Sequence, residues 1–112
     1  MGDAPERLKD ILKAAEHILA KTGPGRQAFG ADEMLQVWVL HHLQIIGEAA
    51  RSLSQEFRQH RPDRVWAEAV GMRNILVHRY FEIDADEVWK VVETDLTSLR
   101  DRVAQILEGE LP

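Results

Sequence analysis

Three side chains within one short stretch could act together on a phosphodiester: Arg73, His78 and Tyr80, with Asn74 directly after the arginine. RNA breaks without a metal when its 2′-hydroxyl attacks the adjacent phosphate. That reaction needs a proton acceptor, a proton donor for the leaving oxygen, and a cation to hold the charged phosphorane. His78 can accept or donate a proton near neutral pH. Arg73 stays charged throughout and can hold two phosphate oxygens at once. Each residue also has a plainer reading. His78 could close its helix, Arg73 could pair with Glu48 at the surface, Asn74 could cap or bridge helices, and Tyr80 could be an amphipathic boundary residue.

The spacing constrains how these groups can meet. At about 100° per residue, Arg73 and His78 point about 140° apart on an ideal helix. Asn74 and His78 share one face, and Arg73 and Tyr80 share another. The reach of arginine, fraying toward Tyr80, or residues from a second copy must close the gap.

The elements that position these residues are helical, and no strand is predicted. A first helix spans about Pro5 to Lys21, with Leu8, Ile11, Leu12, Ala15, Ile18 and Leu19 on one face. It stops at Thr22-Gly23-Pro24-Gly25, and Arg26 to Gly30 reads as the rest of that loop. A second helix is predicted from near Asp32 to about Gln59, roughly 40 Å at 1.5 Å per residue. Leu35, Val39, His42, Ile46, Ala49 and Leu53 form a stripe in steps of four and three. Val37, Trp38, Leu40, Ile45 and Ala50 widen its apolar surface, so this helix is either central or partly in a dimer interface.

The third helix follows Arg61-Pro62-Asp63, with Asp63 as N-cap, and carries Trp66, Val70, Arg73 and Val77 toward Tyr80. Gly71 within it predicts a bend or a close approach by neighbouring backbone. The fourth helix has Asp84 as N-cap, Glu87 at N3, and Ile83 and Val88 at the staple positions. Val88, Val91, Val92, Leu96, Leu99, Val103, Ile106 and Leu107 supply its core face, and Gly109 its stop. The predicted architecture is all-α: an up-and-down four-helix bundle over residues 1–112 as a single domain, with a short extra helical turn possible in a loop.

Composition bounds the chemistry. The chain has 112 residues, 45% of them hydrophobic, which suffices for one packed core. With no cysteine, thiolate catalysis and disulfide bonds are excluded. The polar start and the lack of a long apolar run predict a soluble, cytoplasmic protein with no membrane partner. Net charge is −5, yet Arg51 to Tyr80 holds six basic residues against three acids, Glu56, Asp63 and Glu68. A basic zone on an acidic body can attract phosphates locally, although a solvated arginine-rich turn would give the same count.

Other conspicuous residues read as structural. His41 and His42 are adjacent and cannot share a face, and His17 and His60 lack a convincing ligand spacing, so no metal site and no cofactor are expected. Trp38, Trp66 and Trp89 read as core or interface residues.

Arg73-Asn74-x3-His78-x-Tyr80 resembles the Arg-x4-His signature of HEPN domains, in the form found in the HepT-like branch. Ile45-Ile46-Gly47-Glu48-Ala49-Ala50 looks like that branch's second-helix motif. Trp66, Phe81 and Val88-Trp89 also sit where the family places them. The resemblance covers roughly Gln36 to Leu99, so residues before Gln36 receive no role. It implies a ribonuclease toxin acting on RNA such as tRNA or mRNA, without metal, at a composite site of a homodimer. Arg73 and His78 would be catalytic, with Asn74 and Glu48 in support. It further implies a partner, a minimal nucleotidyltransferase antitoxin of the MntA type, that silences the toxin by adding AMP to Tyr80. Two alternatives stay open: a non-catalytic HEPN subunit that binds nucleotide or presents substrate to that transferase, and a purely structural helical dimerisation domain.

Overall fold

A computed structural model describes residues 3–60, 65–78 and 84–110, with residues 74–78 described as backbone. The described residues are helical throughout their ordered elements. Helix α1 (Asp3–Lys21) ends where the Thr22 hydroxyl donates to the Ile18 carbonyl at 2.8 Å. Gly25 follows with φ of 105°, a left-handed conformation that a side chain would strain.

The expected loop beyond Gly25 is instead the short helix α2 (Arg26–Gly30). Its Phe29 is fully buried and packs on Trp89, with ring centroids 5.5 Å apart. Arg26 forms an ion pair with Asp86, and the Gln36 side-chain amide donates to the carbonyls of Phe29 and Gly30. Those contacts join residues distant in sequence, which explains why local breaker signals alone suggested a loop.

Helix α3 (Glu33–Ser52) starts at Asp32, whose carboxylate accepts from the Leu35 amide at 3.0 Å. It stops well before the predicted Gln59. Leu53 takes an extended conformation, with ψ of 138°, and its side chain is buried. Ser54 then accepts from the Phe57 amide at 3.0 Å and opens a separate short helix, α4 (Gln55–His60). The break turns Phe57 onto Trp66, ring centroids 5.8 Å apart, which a straight continuation of α3 would not do. A serine that can cap a new helix competes with helix continuation, and burial of Leu53 and Phe57 decides the outcome.

Helix α5 (Val65–His78) is continuous through Gly71. Of the bend or close approach expected at Gly71, the close approach is absent among the described residues, where a Cβ built there meets nothing within 4 Å. The N-cap assigned to Asp63 lies outside the described residues. Helix α6 (Ala85–Lys90) begins as expected, Asp84 accepting from the amides of Asp86 and Glu87 at 3.1 and 3.2 Å; its staple partner Ile83 lies outside the described residues.

A π-helical turn (Val91–Asp95) joins α6 to α7 (Leu96–Gln105), and a second π stretch (Ile106–Glu110) runs one residue past the expected stop at Gly109. The wider turn lets Val92 and Leu96 both face the core. In three dimensions α3 is central, flanked by α1 and α5, with α7 closing the bundle against α1. Leu43 and Ile46 of α3, Leu8 and Ile18 of α1, Met72 of α5 and Leu99 of α7 lie in the shared core. The architecture is an all-α bundle, as expected from the periodicities.

Because Gly71 is helical and faces open space, Gly71→Ala should stabilise the fold by up to about 1 kcal/mol through helix propensity. Urea unfolding monitored by circular dichroism checks this; a loss of stability would mean that something crowds that position.

Candidate active site

The chemistry-bearing residues come from two neighbouring helices, and a glycine fixes how closely they approach. A Cβ built on Gly47 of α3 would lie 2.6 Å from the Cβ of Arg73 and 2.9 Å from its backbone nitrogen. Real side chains do not tolerate such distances. The missing side chain of Gly47 therefore lets α5 lie against α3 at Arg73. At Gly71 the sequence suggested a bend or a close approach; the close approach occurs at Gly47, which the sequence marks only as part of the Ile-Gly-Glu-Ala-Ala motif.

The next residue of α3, Glu48, then meets the arginine. Its Oε1 forms an ion pair with Nε of Arg73. The two side chains retain 47% and 35% of their exposure, so solvent screens the pair and its contribution to stability is about 0–1 kcal/mol. Its consequence is directional. A guanidinium has five N–H donors in a planar fork. Beyond its Nε edge, which Glu48 engages, a guanidinium carries terminal amino groups of the kind that hold oxyanions. Both readings of Glu48 considered from sequence, surface ion pair and orienting carboxylate, describe this one contact.

Glu48 also borders a groove of about 540 Å³ between α1 and α3, lined by Arg7, Asp10, His41, Gln44, Ala49 and Ser52 among others. The groove thus leads to the carboxylate that holds the arginine, and it draws α1, which received no role from sequence, into the surroundings of the site.

The backbone of α5 carries Asn74 and His78 onward from Arg73. The side chains of Asn74 and His78, and Tyr80 as a whole, lie outside the described residues. Elsewhere His42 accepts a place that spacing did not suggest. Its Nδ1 lies 2.8 Å from the Trp38 carbonyl, its ring is 4.0 Å from that of Trp38, and His17 of α1 is 5.8 Å away, centroid to centroid. Among the described residues no group of three or more His, Cys, Asp or Glu is placed to hold a metal ion. Nor is any helix among them long and apolar enough to cross a membrane.

The fold is thus an all-α bundle in which Gly47 of one helix receives Arg73 of the next and Glu48 pairs with it. The model of the family described as ribonuclease HepT-like matches residues 11–106, from within α1 to just past the end of α7. The chain belongs to this HepT-like ribonuclease family. It is 37% identical over 102 residues to a protein of Methanocaldococcus jannaschii named as a candidate RNase, covering 90% of this chain and 94% of that one. It is 32% identical to a candidate RNase of Caldanaerobacter subterraneus, covering 92% and 93%. It is 34% identical to a candidate ribonuclease HepT of Thermococcus cleftensis, covering 88% and 91%. No solved structure matches the chain.

The Gly47 notch yields a direct expectation. Gly47→Ala should force α3 and α5 apart and cost about 1–3 kcal/mol, as overpacking does. Thermal and urea unfolding would measure the loss; unchanged stability would show that the two helices can separate freely.

Proposed function

We propose that this chain is an endoribonuclease that cleaves RNA, such as tRNA or mRNA, by attack of the 2′-hydroxyl on the neighbouring phosphate, without a metal ion. The observation that carries the reading is the Arg73 guanidinium, held at its Nε edge by Glu48, in a chain of the HepT-like family. Arg73 grips the scissile phosphate and stabilises the charge that grows on it. His78 moves the proton, and Asn74 supports it from one helical turn earlier.

Acid and base are both required, while the signature supplies one histidine per chain. The site is therefore composite, formed by a homodimer whose second copy brings its own Arg73 and His78. The cleaved strand ends in a cyclic phosphate, because the attacking oxygen and the phosphorus belong to the same nucleotide, and the leaving oxygen departs as a 5′-hydroxyl.

The proposal extends to control. The chain is the toxin of a toxin–antitoxin pair, and a minimal nucleotidyltransferase silences it by adding AMP to Tyr80. An AMP group two residues beyond His78 would add bulk and negative charge where phosphate must bind, and like charges repel. Purified chain carrying this group, verified by intact mass, is expected to have lost RNA cleavage, and enzymatic removal should restore it. Equal cleavage by the modified and unmodified forms would refute this mode of control.

The central test incubates unmodified protein with total tRNA and mRNA in EDTA. Cleavage by the parent is expected, with loss of at least about 100-fold in Arg73→Ala and His78→Ala, the scale of one lost general acid–base or oxyanion contact. Glu48→Gln should lower cleavage while leaving unfolding stability within about 1 kcal/mol, because the pair orients more than it stabilises. A dimeric, unmodified parent that leaves every RNA intact in EDTA and in added magnesium would exclude the ribonuclease and favour a nucleotide-binding subunit.

A further inference from the structure

The groove between α1 and α3 leads to Glu48 but has no part in the cleavage chemistry. Its larger hollow, about 540 Å³, is lined by Arg7, Asp10, His41, Gln44 and Glu48 among others. A smaller hollow of about 230 Å³ is lined by Lys13, His17 and His42, again with Asp10 and Ile45. Asp10 and Ile45 border both, so the two hollows form one continuous groove.

Aromatic rings gather along it. His42 stands 4.0 Å from Trp38, 5.5 Å from His41 and 5.8 Å from His17, centroid to centroid. His17 and His41 are exposed, and Trp38 and His42 are only partly buried, so this cluster is not core packing. Nδ1 of His42 donates to the Trp38 carbonyl at 2.8 Å, which fixes the ring and leaves Nε2 as the acceptor of the neutral imidazole.

We propose that this groove is a base-recognition subsite for single-stranded RNA, selecting an unpaired base with an exocyclic amine over uracil. The lining decides which part of a nucleotide enters. Asp10 borders both hollows, and a carboxylate repels a phosphate but accepts from the amine of a base. Gln44 adds an amide that both donates and accepts. Uracil presents a carbonyl where cytosine presents its amine, so it meets Asp10 with like partial charge. Arg7 lines only the larger hollow and Lys13 only the smaller, so each has a cation for the backbone that the base trails.

Stacking on aromatic or histidine rings, joined to hydrogen bonds at base edges, is how single strands are recognised. Duplex RNA keeps its bases stacked within the helix and has none to offer. A protein helix laid along the groove would bury Arg7, Asp10 and Gln44, which costs free energy unless each found a matching group.

This inference rests on the ribonuclease reading and specifies its substrate. Glu48 belongs both to the groove and to the Arg73 pair. Along α3 it stands about 9 Å from His42 at 1.5 Å per residue. A base in the groove thus belongs to the nucleotide gripped by Arg73 or to a near neighbour in the strand.

Fluorescence anisotropy with 2′-O-methyl oligonucleotides tests this without cleavage, since the attacking hydroxyl is blocked. Unmodified protein should bind short cytosine strands about 5-fold more tightly than uracil strands, the scale of one hydrogen bond. Asp10→Ala should erase that preference. His17→Ala or His41→Ala should weaken both strands about 10-fold through lost stacking. Asp10, His17 and His41 are exposed, so the helical spectrum and sedimentation mass of these variants should match the parent. Lys90→Ala, which removes an exposed cation on α6, should leave both affinities as they are. Absence of binding, equal affinity for the two pyrimidines, or a preference that survives Asp10→Ala would each overturn the subsite. So would a variant whose mass changes with its affinity, because the groove would then belong to a protein interface. Cytosine-selective binding without cleavage of natural RNA would refute the ribonuclease and leave the subsite standing, whereas cleavage with base-blind binding would do the reverse.

Discussion

Two helices can bring functional groups together only as closely as the side chains between them permit, and here the limiting residue is Gly47. A single added carbon would collide with both the Cβ and the backbone nitrogen of Arg73. The approach is held by apolar burial, since fully buried side chains such as Leu43 and Ile46 contribute about 1.5–3 kcal/mol each. The half-exposed Glu48–Arg73 pair adds about 1 kcal/mol at most. Packing therefore sets the distance between α3 and α5, and the ion pair, weaker by comparison, sets the direction of the guanidinium. Stability and orientation rest on different neighbours, although those neighbours are adjacent in sequence.

The same division explains why α3 is apolar on so much of its surface. Its inward stripe is buried against α1, α5 and α7 by Val39, Leu43, Ile46 and Ala50. Trp38 and Ile45 are only partly covered, and Met34 and Val37 stand in solvent. The helix is thus central along most of its length and keeps one short apolar edge, at its N-terminal end, outside its own bundle.

Much of this was legible in the sequence because it depends on local physics. The cap at Asp84 and the start at Asp32 follow from short side chains accepting nearby amides. The end of α1 follows from Gly23-Pro24-Gly25. The family was legible through the ordered resemblance of its motifs, which residue spacing alone could not have supplied. What escaped was decided by contacts between distant segments. Ser54 ends the long helix because Phe57 finds Trp66, and α2 forms because Phe29 finds Trp89. A glycine inside a helix reads the same whether its face meets open space, as at Gly71, or another backbone, as at Gly47. Only the tertiary register separates the two cases. The same holds for His17 and His42, far apart in sequence and neighbours across α1 and α3.

An arginine paired with a carboxylate carries little net charge to attract a polyanion from a distance, and the chain as a whole is acidic at −5. That combination would be a poor design for a protein that coats nucleic acid, where affinity comes from accumulated phosphate contacts. It suits a protein that must recognise one phosphate in one geometry. Glu48 lowers the long-range pull of Arg73, and in exchange it removes much of the freedom the side chain would lose on binding. In the proposed reaction the charge of the phosphorane exceeds that of the ground-state phosphate, and a guanidinium held at one edge by Glu48 would meet it with less freedom left to lose. Under that proposal, pre-orientation would favour the transition state over the bound RNA, which is the condition for a held arginine to act catalytically and not merely to bind.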